Sequence, residues 1–291
     1  MNDGEAVTSG VRLSGLTMLA MSAFAANSIL CRLALRETGI DPASFTLIRL
    51  VSGAAMLWLI VRLRARPTPL AGDWKSAFSL FAYAGAFSYA YVSLSAGTGA
   101  LLLFGSVQAT MILAGLARGE RLTRLQTAGL LLALGGLLGL VLPGVTAPPW
   151  LGAVLMSGAG MAWGIYSLLG RRGSGPTETT AGNFLRAALP AALLSIATLP
   201  WASLDSRGAV YAILSGAIAS GLGYAIWYMA LPMMRATQAA TVQLSVPALA
   251  AAGGVVVLGE HITIRLVLCS LAILGGIALV LRARGPGVAR N

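Results

Sequence analysis

The chain has 291 residues, 57% of them hydrophobic and 10% charged, with a formal net charge of +11. Soluble domains carry about 25% charged residues, so this composition excludes an ordinary soluble protein. The basic residues stand singly or in small groups between long apolar runs, which excludes a nucleic-acid face and matches the loops of a membrane protein.

The N-terminal stretch MNDGEAVTSGVR carries acids and no early basic segment. The first apolar run is therefore read as a retained helix, not a cleaved signal. Ten apolar stretches have the length that spans a bilayer core of about 30 Å: 12–31, 42–62, 74–95, 98–117, 124–142, 150–169, 179–199, 208–230, 236–257 and 263–282. The short turns SAGTG (95–99) and LPMMRA (231–236) divide two long apolar hairpins and set the direction of every later helix. Cys31 and Cys269 lie in or beside apolar runs and read as small buried hydrophobes.

Counting Lys and Arg in alternate loops orients the chain. With the N-terminus cytoplasmic, that side collects Arg12, Arg62, Arg64, Arg66, Lys75, Arg118, Arg121, Arg124, Arg171, Arg172, Arg235, Arg282, Arg284 and Arg290. The other side has only Arg32, Arg36, Arg207 and Arg265. This asymmetry predicts both termini in the cytoplasm. A single lysine among the basic residues points to a GC-rich genome, and with no organellar transit sequence the expected location is a bacterial cytoplasmic membrane.

GERLT at 119–123 returns as GEHIT at 259–263, and at the same offset Gly135 and Gly136 fall on Gly275 and Gly276. Earlier in each half the offset is slightly shorter, so that FTLIRL (45–50) faces GNFLRA (182–187) and Tyr91 faces Tyr228. The chain reads as two copies of five helices, residues 1–146 and 147–291. Because five is odd, the second copy enters the membrane upside down. The expected fold class is an all-α integral membrane protein of ten transmembrane helices arranged as a 5 + 5 inverted repeat. Such a repeat supports alternating access around a site near the midplane.

Ten helices as 5 + 5, a Gly-Glu motif after the fourth and ninth, and small-residue-rich fifth and tenth helices make the chain similar to the drug/metabolite transporter superfamily. Within it the chain resembles the EamA-type transporters, and among these the YddG-type exporters. The resemblance covers nearly the whole chain. It implies an inner-membrane exporter of amino acids, aromatic ones included, with no cofactor. The alternatives are an uptake or exchange permease for a sugar or nucleotide-linked metabolite, and a multidrug exporter.

All nine acids, Asp3, Glu5, Glu37, Asp41, Asp73, Glu120, Glu178, Asp205 and Glu260, fall in termini, loops or helix ends. Proton coupling through a mid-membrane carboxylate is therefore not expected. His261 lies at a loop. No HExxH and no GxSxG with partners is present, so no enzyme is expected and no metal site.

Aromatic and neutral polar residues remain to line a site for a small molecule. Tyr83, Phe87 and Tyr91 share one face of the third helix, and Tyr224, Trp227 and Tyr228 form the matching cluster on the eighth. Asn27 and Trp163 are related by the repeat, and Gln108 and Gln243 supply amides on the fourth and ninth helices. Arg49 and Arg186 lie about two turns inside their helices from opposite faces. A guanidinium there costs at least about 2.5 to 3.5 kcal/mol, so each is expected either to bind a substrate carboxylate or to clamp helices through backbone carbonyls. Pro190 and Pro247 are expected to kink helices seven and nine. Gly135/Gly139 and Gly160/Gly164 are expected at close helix contacts. The expected partners are a small-molecule substrate and membrane lipid, with no nucleic acid, and a monomer is compatible with this reading.

Overall fold

The computed structural model describes residues 3–64, 69–117, 119, 121–144, 147–170, 175–234, 239 and 242–282. Among the described residues every regular element is helical. In chain order these are α1 (Asp3–Glu37), α2 (Pro42–Arg62), α3 (Trp74–Tyr91), α4 (Ala96–Ala117), α5 (Arg124–Val141), α6 (Trp150–Leu169), α7 (Pro176–Ala197), α8 (Ser206–Met233), α9 (Ser245–Leu258) and α10 (Ile264–Arg282).

Polar caps fix where the helices begin. Asp41 accepts from the amides of Ala43 and Ser44 at 2.9 and 3.0 Å, with Pro42 in the first turn of α2. Asp73 caps α3 by accepting from the Ser76 amide at 2.9 Å. The Ser76 hydroxyl and amide hold its carboxyl below the ordinary range. The cap is therefore intact at neutral pH and is lost only as the pH falls below that range. Thr123 and Gln126 form a reciprocal capping box at α5. At the two Gly-Glu motifs the glycines take left-handed backbone, φ 90° at Gly119 and φ 62° at Gly259, where a side chain would be strained.

Many large aliphatic side chains point outward, and much of the interior is built of small ones. Leu138 is 68% exposed and Val256 84% exposed, while the interior is rich in alanine, with Ala20, Ala84, Ala100 and Ala250 fully enclosed. A perimeter of bare leucine, isoleucine and valine on this scale is the surface of a protein solvated by lipid. Trp74 and Trp150, the first residues of α3 and α6, and Trp201, just past α7, are exposed at helix ends, where indole rings favour the membrane interface.

Eight of the helices are long and apolar enough to cross a membrane by length and composition: α1 (from Val11), α2, α4, α5, α6, α7, α8 and α10. The third expected span is helical over 18 residues and the ninth over 14, Ser245–Leu258; the residues before it include 240 and 241, which lie outside the described set. Helix α1 is longer than expected, running from Asp3 to Glu37.

Helix α2 packs on α7, α4 on α9 and α5 on α10. Shifting each helix by five places returns the remaining pairs: α3 on α6 becomes α8 on α1, and α4 on α6 becomes α9 on α1. The repeat seen in sequence is thus a repeat in packing. At the α5–α10 crossing a Cβ on Gly129 would lie 2.6 Å from the Gly276 carbonyl oxygen, and one on Gly136 would lie 2.8 Å from Ile273. The expected pair Gly135 and Gly139 is displaced from this contact: a Cβ on Gly135 meets nothing, and one on Gly139 only the Cys269 sulfur at 3.5 Å. Gly160 and Gly164 do pack closely, against α4. Pro190 lies inside α7 as expected, whereas Pro247 is the third residue of Ser245–Leu258, a first-turn position that proline tolerates.

Helix α8 is not uniform. It is an α-helix over Ser206–Ile213, a π-helix over Leu214–Leu222, an α-helix again over Gly223–Ala230 and a 3-10 turn at Leu231–Met233. Its repeat mate α3 is regular throughout.

Replacing Gly276 with alanine forces the α5–α10 backbones apart at a cost of about 1 to 3 kcal/mol, read as a lower unfolding temperature in detergent. Gly275→Ala, whose Cβ meets nothing within 4 Å, leaves that temperature unchanged.

Candidate functional site

The two expected aromatic stripes meet through the ring of Trp163. Tyr91, Phe87 and Tyr83 descend α3 with centroid separations of 4.7 and 5.4 Å. Tyr83 then meets Trp163 of α6 at 4.9 Å. Trp163 stacks on Tyr224 of α8 at 5.4 Å and 16°, and Tyr224 leads to Tyr228 at 6.4 Å. Trp227 joins by way of Phe24, which lies 6.1 Å from it and 5.4 Å from Tyr224. Trp163 itself is only partly buried, whereas Tyr83, Phe87, Tyr91, Tyr224 and Trp227 are buried.

Four elements converge on the polar centre. The Asn27 amide donates to the Tyr83 hydroxyl at 3.4 Å, and its oxygen accepts from the Ser215 hydroxyl at 2.6 Å. Ser215 belongs to the π stretch of α8, whose wider turn faces α1 and α2. Arg49 of α2 donates from Nη2 to the Tyr83 hydroxyl at 2.9 Å. Its guanidinium carbon lies 4.7 Å from the Phe87 ring centroid and 5.2 Å from that of Tyr83. The residue is 1% exposed, and its Nε and Nη1 have no hydrogen-bond partner among the described residues.

Arg186, its repeat mate, is placed differently. It is half-buried and donates from Nη1 to the carbonyls of Ala71 and Gly182 at 2.9 and 3.0 Å, tying the loop before α3 to α7. Asn183 adds to this tie by accepting from the Asp73 amide at 3.0 Å and donating to the Tyr166 hydroxyl at 3.3 Å.

Gln108 is buried and Gln243 half-buried, but among the described residues neither is hydrogen-bonded to the cluster. The Tyr91 hydroxyl donates to the Ala96 carbonyl at 3.3 Å, at the turn between α3 and α4. The Tyr228 hydroxyl pairs with Thr180 at 2.8 Å.

Sequence reasoning missed Phe24, Tyr166, Thr180, Asn183, Phe184 and Ser215. Only Tyr166, one turn from Trp163 on the same face, carried a usable signal.

Polar ties close both ends of the bundle around this centre. At one end Arg32 pairs with Glu260 at 3.3 Å and donates to the carbonyls of Tyr91 and Val92 at 2.8 and 2.9 Å. The second Glu260 oxygen accepts from the Ala96 amide at 2.8 Å, capping α4. At the other end Arg64 pairs with Glu178, in the first turn of α7, and donates to Thr177 at 2.9 Å. Glu120, the counterpart of Glu260, lies outside the described residues. His261 is exposed.

A bundle of apolar helices with a lipid-facing perimeter, built as a repeat around a shared aromatic centre, is the architecture of a multi-pass membrane transporter. The model of the EamA-like transporter family matches residues 13–142 and again residues 150–282. The chain belongs to that family, whose members are transporters and not enzymes, and it contains two copies of the repeat. It is 60% identical over 277 residues to an uncharacterized protein of Pseudomonas aeruginosa, covering 95% of this chain and 96% of that one. It is 23% identical over 252 residues to the uncharacterized transporter YoaV of Bacillus subtilis, covering 82% and 86%. A crystal structure superposes with a TM-score of 0.66 at 22% identity, covering 92% of this chain and 97% of the other, and thus shares the fold.

The Glu260 tie leads to a stability prediction. Glu260→Ala removes a helix cap and the partner of Arg32 at a mostly enclosed site, and costs about 1 to 3 kcal/mol. Glu37→Ala breaks only the exposed Arg36–Glu37 pair, so it leaves the unfolding temperature in detergent unchanged.

Proposed function

We propose that this chain is an amino acid exporter of the bacterial cytoplasmic membrane, working by alternating access with both termini in the cytoplasm. The observation that carries the reading is Trp163, tilted against Tyr83 of α3 and stacked on Tyr224 of α8. Helices α3 and α8 are repeat mates, so any motion of one half against the other passes through this ring.

Ten passes, with the second half inverted, are supported by which loops the polar ties bring together. Residue Asp41, before α2, bonds to Ser203, before α8; Glu260, after α9, bonds to Ala96 at the start of α4; Arg265 donates to the Leu142 carbonyl after α5. All six positions fall on the outer side in the inverted arrangement. Arg64, Ala71 and Asp73 bond to residues in the first half of α7, and those loop positions fall on the cytoplasmic side.

Both ends are tied in this structure, so opening to either side requires breaking one set of ties while the other holds. The rings offer stacking surface to a hydrophobic or aromatic side chain. Among the described residues no carboxylate hydrogen-bonds to Arg49 or to a ring hydroxyl of the cluster, which supports movement down the cargo gradient without obligatory proton exchange.

The test is counterflow of labelled phenylalanine in vesicles containing only the purified chain, with equal pH on both sides and an uncoupler present. Flux is expected under these conditions; flux only with an imposed proton gradient overturns the coupling claim. Trp163→Ala is expected to reduce counterflow by about tenfold or more, the loss of one aromatic contact to cargo, while the unfolding temperature stays near that of the parent. Normal flux with a lowered unfolding temperature shows that Trp163 serves packing alone.

A further inference from the structure

Among the described residues Arg49 is a cation with no anion. It is 1% exposed, and its hydrogen bonds among the described residues come to one, from Nη2 to the Tyr83 hydroxyl, with Nε and Nη1 left over. The titratable groups beside it are two tyrosines and a cysteine, Tyr83, Tyr224 and Cys31. Ionisable residues inside a membrane protein pair with one another, bind backbone carbonyls or mark the path of a substrate. The other enclosed or half-enclosed arginines follow the first two courses: Arg32 has Glu260, and Arg186 has the Ala71 and Gly182 carbonyls. Arg49 follows neither. In place of an anion it lies against the faces of Phe87 and Tyr83, where ring quadrupoles hold a cation that is free to accept a better partner.

We propose that Arg49 is the carboxylate-binding residue of the cargo site and that the site selects organic monoanions bearing a ring over zwitterions and cations of the same skeleton. This rests on the reading of the central cluster as the cargo site and narrows the amino acid reading: zwitterions such as phenylalanine still move, as its slower cargo. The guanidinium is a planar fork, and either free nitrogen together with the second hydrogen of Nη2 matches the two oxygens of a carboxylate. The ring of the cargo then lies against Phe87 and Tyr83, the two rings beside the guanidinium.

The selection by charge follows from what is missing opposite the arginine. An ammonium group needs a carboxylate, uncommitted acceptors or a free ring face, and the faces of Phe87 and Tyr83 already carry the guanidinium. Among the described residues no acid hydrogen-bonds into this cluster, and the Asn27 oxygen is engaged by Ser215. A zwitterion therefore leaves its ammonium poorly held, and a cation adds repulsion from Arg49. A monoanion instead cancels the uncompensated charge. Its movement carries net charge across the membrane, so its rate depends on membrane potential.

Three probes share a phenyl ring and differ in charge: phenylpyruvate is an anion, phenylalanine a zwitterion and phenethylamine a cation. The purified full chain is placed in vesicles loaded with each, and efflux is followed with and without an inside-negative potential set by potassium and valinomycin. Efflux of phenylpyruvate is expected to be the fastest and to accelerate with the potential. Arg49→Gln is expected to slow it by about tenfold or more, the loss of a charge-assisted contact, and to abolish the rise in unfolding temperature that phenylpyruvate gives the parent in detergent.

Should Arg49→Gln fail to fold, the charge preference and potential dependence of the parent chain decide the question by themselves. Equal rates for phenylpyruvate and phenylalanine in the parent, or an Arg49→Gln chain that still discriminates like the parent, overturn the proposal. If phenylalanine moves and phenylpyruvate does not, the amino acid reading stands and the role of Arg49 falls. If none of the three moves, both fall.

Discussion

In hydrocarbon a leucine gains nothing by turning inward, and this constraint shapes every helix contact in the molecule. The helices are held by close approach of small residues, by hydrogen bonds and by the few aromatic rings that fill what remains. The α5–α10 crossing is the clearest case, with the Gly129 and Gly276 backbones near van der Waals contact. At the α2–α7 crossing Phe184 occupies the space above Gly53, and at α4–α9 Ala251 sits over Gly97. These three pairings join repeat mates, so the same packing solution recurs at three contacts between the two halves.

Polar groups in such a bundle must be satisfied within it, and their distribution separates ends from centre. Paired charges sit at the ends, Arg64 with Glu178 and Arg32 with Glu260, and the second pair also binds the end of α3 and the start of α4. The centre holds neutral donors and acceptors, Asn27, Tyr83 and Ser215, and a single guanidinium. The ends thus carry ion pairs and caps, while aromatic rings fill the centre.

The site also departs from the symmetry that generates it. Arg49 and Arg186 occupy equivalent positions, yet one is sealed among rings and the other holds the carbonyls of a loop. Helix α3 is regular where α8 carries nine residues of π-helix, and it is this stretch that brings Ser215 to Asn27. Asn27 and Trp163 are mates by position and opposites in chemistry. A repeat supplies two similar packings, and divergence at a few central positions converts a symmetric space into one with a polar pole and an aromatic wall.

Much of this was legible in the sequence because lipid imposes simple rules. Helix length, the Gly-Glu punctuation and the repeat of Gly135-Gly136 at Gly275-Gly276 follow from local pattern and offset, and the family match to 13–142 and 150–282 agrees with the two copies read there. The facing stripes on α3 and α8 were readable from spacing on a helix, and the end positions of the acids from their distance to the nearest apolar run. What the tertiary structure decided is which of two equivalent residues does what. Periodicity cannot separate Arg49 from Arg186, since both lie two turns inside a helix; only the neighbours from α1, α3 and α8 do. Nor can it find Phe24, Asn183 or Ser215, or tell that Gly129 rather than Gly135 meets α10, because crossing angle and rotation about each helix axis depend on contacts between residues more than a hundred positions apart. Length and hydropathy are properties of a segment alone, and a site is a property of how segments meet.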